Sequence, residues 1–106
     1  MRSKRGSTGS AVAALALEWR EAARADVLAI VDYISDDNPD AAQRLKDEIE
    51  DKVSKLPEHP QLYRPGRVTG TREMVVRPNY MVIYAENTDA IAILRVLHAA
   101  QQWPPG

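Results

Sequence analysis

The sequence predicts an α+β domain in the order β-α-α-β-β-β: an N-terminal strand, then an antiparallel helical hairpin packed on one face of a small antiparallel sheet. Three observations predict it. Two stretches, 20–35 and 39–56, repeat apolar residues at steps of three and four, the period of a helix with one buried face. Three later stretches, REMVVR, YMVIYAE and AIAILRVL, are strand-like and are separated by turn-forming residues at hairpin spacing. A chain of 106 residues fills one core and leaves no material for a second domain.

Taken in order, the opening MRSKRGSTGS is basic, then small and polar, with no apolar period. Residues 1–13 therefore read as a flexible leader or an expression remnant, and residues 14–106 as the single domain. In LALEW, Leu15, Leu17 and Trp19 alternate and suit a short strand; the alternative is that AVAALAL extends the helix that follows. The first helix carries Ala23, Val27, Ile30 and Ile34 as one stripe and ends at DDNP. Asn38 is placed to cap the second helix, Pro39 opens it where a missing N–H costs nothing, and Asp40 meets the positive end of its dipole. Ala42, Leu45, Ile49, Val53 and Leu56 keep the stripe until the prolines of LPEHP stop it. Pro78-Asn79 and Asn87-Thr88-Asp89 supply the turns of an antiparallel meander. Met74, Val76, Val82 and Ile83 are its expected core residues.

With 44% hydrophobic and 27% charged residues, the composition is that of a globular protein, and no run approaches the roughly 18 apolar residues of a membrane span. No membrane association is expected, and the cytoplasm is the expected compartment. The absence of cysteine removes disulfides, thiolate catalysis and cysteine zinc sites, and two histidines, His59 and His98, make a poor histidine metal site. Neither metal nor cofactor is expected. The formal charge of −1 hides an asymmetry: residues 15–56 carry eleven acidic and six basic groups, whereas Arg64, Arg67, Arg72 and Arg77 face a single acid, Glu73, between residues 64 and 77. A local positive face is therefore expected, without the whole-domain excess that binds bulk nucleic acid.

Residues able to carry chemistry fall in the same region. Metal-free RNA cleavage needs a base, a cation for the developing phosphorane charge and an acid for the leaving oxygen. Arg64, Arg67 and Arg72 near the start of the sheet, with Tyr80, Tyr84 and His98 on the later strands, are the residue types that fill some of those roles. The alternatives are ordinary: arginines paired with neighbouring acids, tyrosines half-buried on strands, and a hydrogen-bonded structural histidine. No phosphate-cradling glycine loop or nucleophile elbow is present. Trp103, between Gln102 and two prolines, either folds back on an apolar surface or offers one to a partner.

From about residue 15 to 104 the chain resembles the RelE/ParE superfamily of bacterial type II toxins. The resemblance rests on ADVLAIVDYI and AAQRL in the hairpin, LPEHPQLYRPGR in the loop, GTREMVV and PNYMVIY in the sheet, and ILRVLHAAQQWP at the end. It implies a toxin neutralised by a cognate antitoxin, ParD- or RelB-like, whose C-terminal segment folds on binding. That segment is expected in the groove between hairpin and sheet, with acidic side chains near Arg64, Arg67, Arg72 and Arg77; Tyr80, His98 and Trp103 complete the expected antitoxin- or target-binding set. RelE-like members cleave messenger RNA on the ribosome with basic residues near the central strands and a C-terminal tyrosine, for which Arg64, Arg67, Arg72, Tyr84 and His98 would be the catalytic set here. The penultimate strand, however, has Met81 where that branch places an arginine, and no tyrosine follows His98. The long hairpin and the ending VLHAAQQWP look more like ParE, whose members trap DNA gyrase on cleaved DNA and perform no catalysis of their own. A relative without toxic activity would share the same fold.

Overall fold

The computed structural model describes residues 16–98. The elements are β1 (Ala16–Trp19), α1 (Glu21–Ser35), α2 (Pro39–Ser54), a 3-10 turn (Leu56–Glu58), β2 (Arg64–Pro65), β3 (Thr71–Arg77), β4 (Tyr80–Glu86) and β5 (Ala90–His98). The leader and Trp103 lie outside the described residues.

Local chemistry sets the boundaries. Asn38 does cap α2, its Oδ1 accepting the Ala41 N–H at 3.0 Å, and Pro39 occupies the first turn. Along α2, Lys46–Glu50 and Asp51–Lys55 stand one turn apart and pair directly on the solvent side, at 3.0 and 3.1 Å, which adds only about 0.3 kcal/mol each. The two-residue turn Pro78-Asn79 joins β3 to β4, and in the next turn Asn87 Oδ1 accepts the N–H groups of Asp89 and Ala90, both at 2.8 Å.

The sheet order is β1-β5-β4-β3-β2. The three-strand meander β3-β4-β5 is antiparallel as the sequence predicts, but β1 lies parallel to β5, with Leu17 opposite Ile91 and Trp19 opposite Ile93. The sheet is therefore mixed: the chain leaves β1, passes through the hairpin and the meander, and returns beside its own start, a long connection that a parallel pair requires. The second departure is β2, too short at two residues to leave a periodic signal, which pairs with Arg72 and Glu73 of β3.

The hairpin covers one face of this sheet. Leu45, Ile49, Val53 and Leu56 from the helical side meet Met74, Val82, Tyr84, Ile91, Ile93 and Val96 from the sheet in one buried cluster. Each such aliphatic side chain contributes about 2 kcal/mol by leaving water. The pleat turns alternate residues to the other face, so Ile83 between Val82 and Tyr84 points away from the hairpin, where it too is buried. All four residues expected as core are buried.

The pleat is interrupted between Val75 and Arg77 of β3, where the register with β4 shifts, and again in β5. Ile83 pairs with Arg95 but Tyr84 pairs with Ile93, so Leu94 is an extra residue, a β-bulge. The bulge brings Arg95 toward α1, where its Nε and Nη2 donate to the two oxygens of Asp26 at 2.7 and 2.9 Å. Asp26 also accepts the Val96 N–H at 2.9 Å and so satisfies the ladder group next to the bulge. Its carboxylate raises the Arg95 pKa further above the ordinary arginine value.

Candidate functional site

The candidate residues separate into two groups along the strands. Arg64, Arg67, Arg72 and Tyr84 lie near the start of β3, whereas Arg77, Tyr80 and His98 lie at its far end, where Arg77 pairs with Tyr80 and Tyr80 with His98 in register. Five residues of extended chain, about 17 Å, separate Arg72 from Arg77. The positive face expected from their closeness in sequence is also divided by the pleat. Arg72 stands opposite the core residue Tyr84 and Arg77 reaches α2, both on the hairpin side, while Arg64 crosses Glu73 on the opposite face.

Most of these arginines are committed within the chain. Arg77 Nε and Nη2 donate to Glu48 Oε1 at 2.8 and 2.7 Å, which ties the end of β3 to α2. Arg72 Nη1 donates to the Tyr63 carbonyl at 2.7 Å and holds the loop that leads into β2. Arg64 Nε and Nη2 both stand 3.1 Å from Glu73 Oε1, and its Nη2 lies 3.9 Å from the Met81 sulfur. The side chain of Arg64 is 63% exposed and that of Glu73 only 4%, so the cation lies as a lid over a buried carboxylate. Arg67 gives its backbone N–H to the other Glu73 oxygen at 3.2 Å, and its guanidinium has no partner among the described residues.

The loop between α2 and β3 is shaped to hold these groups. Gly66 donates its N–H to the Thr71 carbonyl at 2.7 Å, and Thr71 Oγ1 donates to the Val68 carbonyl at 2.6 Å. A Cβ at Gly66 would run into Thr71 Oγ1 and crowd the Thr71 carbonyl at 3.2 Å, so the close approach favours glycine, and Gly70 takes a φ of 85° at the turn into β3.

Tyr84 is fully buried, and its hydroxyl donates to the Pro60 carbonyl at 2.8 Å. It belongs to the core and anchors the loop. Burial pushes its phenol up to about 12, with Arg72 pulling the other way and Tyr63 and Glu86 adding to the rise. The folded chain thus keeps the phenol neutral where the unfolded chain ionises, near pH 10. This contribution to stability is complete below pH 10 and is lost as pH rises through 12, by about 3 kcal/mol. Urea midpoints at pH 9 and pH 11.5 should fall further for the wild type than for Tyr84→Phe; parallel losses would contradict this placement.

At the other end, Tyr80 and His98 meet edge to face, with ring centroids 5.4 Å apart and planes at 70°. With Ala29, Ile30 and the exposed Tyr33 of α1 they line a groove of about 290 Å³. His98 is therefore not brought together with Arg64, Arg67 and Arg72, while Tyr84 stands opposite Arg72 but gives its hydroxyl to the Pro60 carbonyl, which leaves those arginines able to attract anionic groups. Sequence reasoning missed Glu48 and Asp26 as the partners of Arg77 and Arg95, because each pair is far apart in the chain. Glu73 was visible as the lone acid among four arginines.

Comparison with known proteins agrees with this architecture. The family model for the ParE toxin of type II toxin-antitoxin systems, parDE, matches residues 17–103. Toxin Y4kP of Sinorhizobium fredii is 45% identical over 73 residues, 68% of this chain and 75% of the relative. Toxin RelE2 of Caulobacter vibrioides is 37% identical over 83 residues, 78% of this chain and 93% of the relative. Among solved structures, a chain of the chromosomal ParDE system of P. aeruginosa superimposes with a TM-score of 0.72 at 26% identity, covering 80% of this chain and 96% of the other. A chain of the E. coli DinJ-YafQ toxin-antitoxin complex shares the fold, with a TM-score of 0.59 at 16% identity over 86% of this chain and 99% of the other. The chain belongs to the ParE toxin family of type II toxin-antitoxin systems.

Proposed function

We propose that this toxin acts in the cytoplasm by gripping DNA gyrase and trapping it on cleaved DNA, and that a ParD-like antitoxin neutralises it. The observation that carries this reading is the state of the would-be catalytic set. Tyr84 is buried and bonded to a carbonyl, Met81 stands on the penultimate strand beneath Arg64, and His98 lies at the opposite end of the sheet from Arg72. Binding through exposed cations and an aromatic groove needs none of these to donate or accept a proton, whereas RNA cleavage without metal does.

The second reading, a ribosome-dependent messenger RNA endonuclease, is favoured by one observation. Arg64 and Arg67 are exposed next to Arg72 in a chain 37% identical to a toxin named RelE2. Induction of the chain in growing bacteria separates the two. Incorporation of labelled thymidine should fall within minutes and before incorporation of labelled methionine, and co-expression of the antitoxin should restore both. Methionine incorporation falling first would favour the ribosome.

A further inference from the structure

We propose that Glu73 is the positioning residue of the candidate site, and that it holds the loop 64–71 so that Arg67 meets a carboxylate of the antitoxin. The proposal rests on the antitoxin reading above for its partner, and on the loop geometry for everything else.

A carboxylate 4% exposed on a β-strand is costly unless each oxygen is paired and hydrogen-bonded. Glu73 meets that condition with donors drawn entirely from the loop: the Arg64 guanidinium on Oε1 and the Arg67 backbone N–H on Oε2. Its strand position, between Arg64 on β2 and Ile83 on β4, supplies no other need for a charge. An apolar residue there would pack against Ile83 at no desolvation cost, so the carboxylate is accounted for by what it organises.

What it organises has one outward cation. The Arg64 charge is cancelled by Glu73, Arg72 spends a donor on the Tyr63 carbonyl, and Arg77 is paired with Glu48 at the far end of the strand. Arg67 keeps its whole guanidinium, while its main chain is fixed by Glu73 and its loop by the Gly66–Thr71 and Thr71–Val68 bonds. A long flexible side chain that starts from a fixed backbone point loses less freedom on binding than one on a mobile loop. A fork of N–H donors is matched by a carboxylate or a phosphate. The carboxylate is the relevant one here because the partner in the reading above is a protein, and a protein offers that planar two-oxygen acceptor as an Asp or Glu side chain.

The test is calorimetric titration of the toxin with its cognate antitoxin, and with that antitoxin after its C-terminal Asp and Glu residues are changed to Asn and Gln. Arg67→Ala should weaken binding of the unaltered antitoxin by about tenfold or more and leave the neutralised one unaffected. Glu73→Gln, which keeps the shape and removes the charge, should weaken binding severalfold in the wild type but by less than twofold when Arg67 is already alanine. Amide hydrogen exchange at Arg67 should be faster in Glu73→Gln with no antitoxin present. Additive losses, or unchanged exchange at Arg67, would overturn the positioning role. Unchanged affinity in Arg67→Ala, which is exposed and keeps the fold, would overturn the contact. A wild type that binds no antitoxin would sink the partner reading and the Arg67 contact with it, while the exchange rates would still decide whether Glu73 fixes the loop.

Discussion

Replacing Asp26 by alanine should lower the unfolding free energy by about 3 kcal/mol, a large part of the total for a domain of this size. Asp26 and Arg95 are 13% and 26% exposed, and the carboxylate makes three bonds at once: two to the guanidinium and one to the Val96 N–H beside the β5 bulge. Its removal leaves a half-enclosed cation and an unsatisfied ladder group, and the polar contact between α1 and β5 is lost while the apolar packing of Ala23 and Val27 remains. The pair itself is not the source of so large a loss. Replacing both members, as Asp26→Leu with Arg95→Met, should recover most of the stability, because apolar residues of similar volume avoid the desolvation cost. By contrast, breaking the exposed Lys55–Asp51 pair with Lys55→Ala should change stability by less than about 0.5 kcal/mol. Urea denaturation of the four proteins checks the series, and a loss under about 1 kcal/mol for Asp26→Ala would mean that the bulge holds without its carboxylate.

Ile93→Ala should cost about 4 kcal/mol. Ile93 is fully buried on the strand that binds both neighbours, opposite Trp19 of β1 and Tyr84 of β4, and it belongs to the cluster under the hairpin. Three elements therefore frame the cavity that truncation would leave, and none closes it without disturbing a strand register. Val75, on the same sheet but 48% exposed, offers the comparison: Val75→Ala should cost less than about 0.5 kcal/mol. Equal midpoints for the two variants would place the core elsewhere than beneath the hairpin.

What the sequence makes legible follows from the range of the interaction. The stripe Ala42, Leu45, Ile49 and Val53, the Asn38 cap and the Pro78-Asn79 turn are local, and each is found where the spacing puts it. The parallel pairing of β1 with β5 joins residues some seventy positions apart and has no local signature. Neither has the bulge at Leu94, since ILRVL reads as one continuous strand until the register with β4 is known. The site shows the same division. The arginines were visible as a cluster, but their faces are set by the pleat and their partners by tertiary structure, so Arg72 and Arg64 point to opposite sides and Arg77 belongs to Glu48. Tyr84 illustrates the limit most clearly. A strand tyrosine beside arginines has the composition of an active site, and only its place in the buried cluster under the hairpin and its bond to the Pro60 carbonyl show it to be core.

The most direct measurement is a gyrase reaction on supercoiled plasmid with ATP and the purified toxin, stopped by denaturation and scored for linear DNA. Gripping without catalysis predicts toxin-dependent linear DNA that the antitoxin suppresses and that Tyr84→Phe leaves unchanged. Full gyrase activity with no linear DNA, together with codon-dependent cleavage of messenger RNA on ribosomes supplied with the same toxin, would contradict it.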